Sequence, residues 1–300
     1  MVALRRTSGS SAVAALAAAL ALCGAVLVPA PSAVAATPTD MCAPQYAAAQ
    51  AVQARIKSHN AQPHEFTPQQ SGALAAYNAE AAALNAESAK AVAAYTACFQ
   101  AMMAMVDATG AGSMDLKDLT PTKRSQIDDA KRRLGTGWTA PPPPAPGKNW
   151  RVPKGSAARP LYDALRAGNP GNLPYTYLKG GTKLSVGRPD PAYPASSRRV
   201  IMPNARGNPK ISADHIVPLA ELMQMRGFTK LSTENMFIIS RAPINFQWLS
   251  SAANLSKQSR SAAAMTGVDP KWQASQVALE NETRKKLQDI IDQLLKSQGS

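Results

Sequence analysis

Asp214-His215-Ile216-Val217-Pro218 sets a carboxylate directly beside an imidazole, and Asn245, Asn254 and Lys257 follow downstream. A neutral imidazole, with an ordinary pKa of about 6.5, can take a proton from water at neutral pH. A carboxylate and an amide carbonyl are hard oxygen donors of the kind that magnesium-like cations take. One His, one carboxylate and one amide carbonyl, converging on a point, form a set suited to hydrolysing a phosphodiester.

Convergence depends on the elements that carry these residues. Lys210–Leu219 reads as a short β-leaning run braked by Pro218. The aromatic, β-tolerant start of Asn245–Ser250 suits a second strand, and the Ala-rich stretch after it suits a helix opening near Ser251. At about 3.6 residues per turn, Asn254 and Lys257 then lie one turn apart on one helix face. The expected unit is strand, strand, helix.

The set Asp-His-Ile-x-Pro, a middle Asn, and a last Asn followed three residues later by Lys resembles the HNH endonucleases of the ββα-metal type. The run Asn245 to Lys257 looks like the branch found in bacterial toxin nucleases, and the resemblance covers residues 200–262. It implies that His215 is the general base and that Asp214 and Asn254 hold a single divalent ion, Mg²⁺ first, with Mn²⁺ or another divalent ion as alternatives. It further implies that Asn245 pins the loop bearing His215 through backbone hydrogen bonds. Lys257, Arg260 and, more weakly, Arg241 are the candidates for holding nucleic-acid phosphates. A competing register takes Asn235 as the middle residue, but Trp248 then replaces the expected Lys; Asn235 is instead read at a turn before a buried strand, Met236–Ile239. The 29 residues between His215 and Asn245 exceed the spacing of compact members. Residues Glu221–Ser232 are therefore either a substrate-facing loop or a sign that the motif assignment is partly wrong.

The charge agrees with a polyanionic partner. The chain holds 33 Lys and Arg against 19 Asp and Glu, and residues 151–300 hold 21 of the former and 10 of the latter, which is +11 of the net +14. Nucleic acid is the commonest partner of such an excess. The amino terminus reads as an export signal over residues 1–35: Arg5 and Arg6, the apolar Ala12–Val28, and a small-residue cleavage site at Ala33-Val34-Ala35. No later segment is apolar enough to span a membrane, so the protein is expected to be secreted. Cys42 and Cys98 remain after cleavage, and an exported pair reads as one disulfide.

The expected architecture is α+β: an N-terminal α-helical hairpin over 36–110, a short helix and Pro-rich linker over 111–150, and an HNH-type nuclease domain with flanking helices over 151–300. A seam of Leu74, Tyr77, Ala81, Leu84, Ser88, Ala91, Tyr95, Cys98, Met102 and Met105 marks the longer hairpin helix, and Ala49, Val52 and Ile56 the shorter. If both helices leave the loop together, Cys42 faces a residue in the later 80s, about 15 Å from Cys98 at helical rise. Thr120-Pro121 opens the short helix, Pro141–Pro146 marks a domain boundary, and Asp269-Pro270 caps a final helix. The leading functional expectation is a secreted, metal-dependent DNA endonuclease of low sequence specificity, in the manner of an antibacterial toxin with an immunity or delivery partner. The alternatives are a non-catalytic protein that binds nucleic acid or cell wall, and an RNA-cleaving enzyme of the same type.

Overall fold

The computed structural model describes residues 41–63, 65–105, 115–166 and 184–298. The export signal and Gly110–Ser113, expected to end the helical hairpin unit, lie outside them. The described residues are mostly helical, with one small antiparallel sheet of two strands, an α+β mixture. None of their helices is long and apolar enough to cross a membrane. They divide into two compact units, the first ending at Phe99 and the second covering Gln100–Gln298.

In the first unit, α1 (Ala43–Asn60) and α2 (Ser71–Met105) run antiparallel. Val52, Ile56 and Leu84 form their apolar centre, with Ala91 packed against it. Arg55 pairs with Glu87 at 2.7 Å, and the His59 ring stacks on Tyr77. Cys42, the N-cap of α1, is bonded to Cys98 with the Cα atoms 5.9 Å apart. The offset that seemed to forbid this pair is absorbed by the connection. The end of α1 meets α2 at Tyr77 and Glu80, not at Ser71, because the loop runs back along the first turns of α2, where Phe66 touches Tyr77. Six residues of α2, Ser71 to Ala76, precede the first of these contacts, which is roughly 9 Å at 1.5 Å per residue, and Glu80 lies nearly a turn further on.

The second unit contains α3 (Pro121–Leu134), α4 (Arg159–Arg166), β1 (Ile211–His215), α5 (Leu219–Leu222), α6 (Thr233–Ile239), β2 (Phe246–Ser250), α7 (Ser251–Lys257) and α8 (Pro270–Ser297). Thr120 Oγ1 accepts from Lys123 N to start α3, and Asp269 Oδ1 accepts from Trp272 N to start α8. The proline run is not a boundary. Helix α3, upstream of it, packs on α4 and α6, and its Lys123 donates to the carbonyl of Ala164 at 3.0 Å. Downstream, Trp150 N donates to Ser259 O at 3.0 Å, Ser259 Oγ donates to Trp150 O, and Asn149 Nδ2 donates to Gln258 Oε1. The segment is thus stitched to the end of α7.

Met236–Ile239, expected as a strand, belongs to the helix α6, which Ser232 caps through Asn235 N. A short run that is apolar on every side has no period to distinguish strand from helix, and this one is buried all round. Glu221–Ser232 is not a substrate-facing loop. Phe228 and Leu231 are fully buried, and Glu221 is buried against the Arg284 guanidinium of α8 at 2.5 Å. Gly227 is needed there: its φ is +82°, and a Cβ would lie 2.5 Å from Leu295 Cδ1.

Candidate functional site

β1 and β2 pair with Asp214 opposite Gln247 and His215 opposite Phe246, and α7 follows β2 without a gap, started by Ser250 Oγ accepting from Ala253 N. The strand–strand–helix order expected from the sequence is present. It brings Asp214, His215, Asn245, Asn254 and Lys257 to one end of the second unit.

The imidazole of His215 is partly buried, tilted against the Phe246 ring with centroids 4.2 Å apart. Its Nε2 lies 3.2 Å from the carbonyl oxygen of Ser240. A carbonyl can only accept, so that bond places the proton on Nε2 and leaves the Nδ1 lone pair as the basic atom. Burial holds the imidazole below its ordinary pKa, and the Ser240 carbonyl and Asp214 offset only part of this.

Asn245 is fully buried. Its Oδ1 accepts from Val217 N at 2.8 Å, its Nδ2 donates to Val217 O at 2.9 Å, and its own carbonyl accepts from Ile216 N at 2.9 Å. These three bonds fix the two residues after His215.

Asp214 is 3% exposed and Lys257 1% exposed, and they form a buried ion pair. The ammonium lies 2.9 Å from Oδ2 and 3.2 Å from Oδ1, and it also donates to the carbonyls of His215 at 2.7 Å and Ile216 at 3.3 Å. Lys257 is therefore not on the surface to meet phosphates; it is committed inward. The carboxylate Oδ2 also accepts from Gln247 Nε2, whose other hydrogen goes to Gln276 Oε1 of α8 at 2.7 Å. With two bonds on Oδ2 and one on Oδ1, the atom keeping a lone pair is Oδ1.

Asn254 donates its amide hydrogens to Ser212 Oγ at 2.8 Å and Ala213 O at 3.3 Å, which fastens it beside the strand just before Asp214. Its carbonyl oxygen is thereby the atom that could face a cation. Asp214 Oδ1 and Asn254 Oδ1 are hard donors that fit a magnesium-like cation with water completing its shell. Among the described residues no cluster of three or more His, Cys, Asp or Glu exists, so a cage made of those side chains is not present there.

The remaining candidates are placed elsewhere. Arg241 is buried, its guanidinium 4.1 Å over the Phe237 ring and 3.9 Å from Asp118. Arg260 is partly buried and donates to the carbonyl of Ser256 at the end of α7. Ser240, Gln247 and Gln276 were not singled out from the sequence. Ser240 acts through a carbonyl, which every residue carries. Gln276 had a signal: Trp272, Gln276, Glu280, Thr283 and Leu287 follow the spacing of one helix face, and the polar members interrupt it. Glu280 is likewise buried, accepting from Ser261 Oγ and Ala262 N, and burial raises its pKa despite those bonds.

No protein family, curated protein or solved structure matches this chain.

Proposed function

We propose that this protein is a secreted HNH-type endonuclease that hydrolyses DNA phosphodiester bonds with low sequence specificity. The observation that supports the reading best is the imidazole of His215, tied through Nε2 to the Ser240 carbonyl, on a strand that carries Asp214 next to it and has Asn254 fastened to its Ala213 carbonyl. In this reading Nδ1 takes a proton from water as the water oxygen bonds to phosphorus. The bond from phosphorus to the 3′ oxygen breaks, and that oxygen takes a proton from solvent, giving a 3′-hydroxyl and a 5′-phosphate. Burial keeps the imidazole neutral, and so able to accept, at pH 7. Asn245 holds the loop after His215 and so limits the ring's travel. Asp214 and Asn254 would hold one divalent cation, Mg²⁺ or Mn²⁺, which supplies charge stabilisation to the phosphate and to the departing oxygen. A toxin role, with a delivery or immunity partner, fits an export signal joined to a nuclease, and the disulfide-closed first unit is the candidate for meeting that partner.

A second reading, a non-catalytic protein that binds nucleic acid, draws support from one observation: both oxygens of Asp214 are already held by Lys257. Plasmid nicking separates the two. The full chain is incubated with supercoiled plasmid and Mg²⁺ or Mn²⁺, with EDTA, and as His215→Ala. Metal-dependent nicking that the substitution removes, with DNA binding retained, is expected. Absence of nicking by the unsubstituted chain with every divalent metal gives the binding reading its case, and side-by-side digestion of RNA tests the RNA-cleaving alternative.

A further inference from the structure

Immediately before β1 the chain forms an irregular antiparallel ribbon over residues 186–210, a meander of three short segments, 187–190, 199–204 and 208–210. Gly187 N donates to Ile201 O, Ile201 N to Arg188 O and Asp190 N to Arg199 O, while Lys210 N donates to Met202 O and Asn204 N to Asn208 O. Bridges pair Pro189 with Val200 and Pro203 with Pro209. The tip is tightened by Asn204 Oδ1, which accepts from Arg206 N and Asn208 N, and by Gly207 at φ +76°.

The side chains of this ribbon are unlike the rest of the unit. Arg188, Arg198, Arg199, Arg206 and Lys210 are all exposed, whereas its single acid, Asp190, is buried and turned inward onto Ala192 N. Val186, Val200 and Met202 are exposed as well, Met202 at 59%, in a chain whose other large exposed apolar side chains among the described residues are Met103 and Leu255. Arg199 lies 4.1 Å over the ring of the core residue Tyr193; the other exposed side chains are used by neither the site nor the core.

We propose that this ribbon docks into the major groove of duplex DNA, its cations on the flanking phosphates and Val200 and Met202 against the base edges. Residues 200–204 and 208–210 form the closing hairpin of the meander, and that groove, about 12 Å wide, admits a two-stranded ribbon, whereas the deep, narrow major groove of an RNA duplex does not. Five exposed cations without an exposed acid supply the complement to phosphate. The ribbon is continuous with β1, and Ser251 N donates to Lys210 O, so its base is fixed to the start of α7. From Ile211 to His215 the strand advances about 13 Å at 3.3 Å per residue, or roughly four base-pair steps. One helical turn of DNA spans both. The proposal deepens and rests on the nuclease reading for its choice of substrate, and it names DNA over RNA.

Binding of the full chain to a fluorescent 30-base-pair DNA duplex, followed by anisotropy in EDTA over a range of salt, tests it. Replacing Arg188, Arg206 and Lys210 by Gln is expected to reduce the slope of log K against log salt by about 2.7, from 0.9 per lost phosphate contact. Replacing the exposed Lys271, Lys285 and Lys296 of α8 by Gln is expected to leave the slope as it was. Val200→Ser with Met202→Ser is expected to weaken duplex binding at fixed salt and leave the slope unchanged. Equal slopes for the two triple variants overturn the proposal. So does an RNA duplex of the same sequence bound as tightly, or binding confined to anionic lipid vesicles. A chain that shows the slope change but never nicks plasmid keeps the ribbon and loses the nuclease; one that nicks while the ribbon triple keeps its slope does the reverse.

Discussion

Replacing Lys257 by Met isolates the energetic centre of the second unit. Met has a similar reach, so the space stays filled, but four contacts vanish: two to Asp214 and one each to the carbonyls of His215 and Ile216. The carboxylate left behind is 3% exposed, with the Gln247 amide still donating to it. Removing one member of a buried pair costs about 3–5 kcal/mol, because the other charge stays desolvated. For a unit of this size each kcal/mol lowers Tm by about 2–4 °C, so the fall is roughly 6–20 °C. Trp138, Trp150, Trp248 and Trp272 all lie in this unit, and their fluorescence during thermal or urea unfolding reports it. The double substitution Asp214→Asn with Lys257→Met removes the stranded charge and is expected to recover most of the about 3–5 kcal/mol lost by Lys257→Met alone, because neutral replacement of a whole buried pair is often close to neutral. A loss below about 1 kcal/mol for Lys257→Met, or a double variant no better than the single, would refute the picture of a buried, committed lysine.

Two further outcomes follow from the same geometry. Asn245→Ala removes both side-chain bonds to Val217 and leaves a buried N–H and C=O without partners, costing about 2–4 kcal/mol; hydrogen exchange at Val217 should accelerate before that of the β1 amides. The nuclease reading sets a pH profile: burial lowers the pKa of His215, so the acid limb of cleavage should fall below pH 6.5, the ordinary imidazole value, and His215→Ala should abolish it. The linkage has the matching sign. Folded His215 binds its proton less readily than the unfolded chain does, so its contribution to stability is full above about pH 6.5 and is lost as pH falls through the lower folded value. An acid limb centred above 6.5 would refute the assignment.

Much of the site's scaffold was legible because it is local. Phe246 to Lys257 carries its own change from strand to helix, with Ser250 as cap, and the adjacency of Asp214 and His215 needs no folding to be seen. What the sequence could not show was direction. A lysine one turn after an Asn on a helix reads the same whether it faces water or a carboxylate, and only the packing of β1 against α7 turns Lys257 inward. The same limit hid Glu221 and Gln276, whose partners, Arg284 and Gln247, lie 63 and 29 residues away. The offset expected between Cys42 and Cys98 was too large for another reason: the connection was treated as a point, whereas it occupies length along α2.

The proline run between α3 and α7 has a consequence for how this chain can vary. Because α3 is seated on α4 and α6 at one end and Asn149 and Trp150 are sewn to Gln258 and Ser259 at the other, the segment between them works as a ruler. Deleting two prolines would shorten it by about 6 Å at 3.1 Å per residue. Either α3 then leaves its seat or the stitch opens beside Lys257, two turns or less from Asn254. Insertions would only bow the strut outward. Homologous chains should therefore tolerate lengthening of this stretch far better than shortening, the reverse of what a free tether between separate domains would allow.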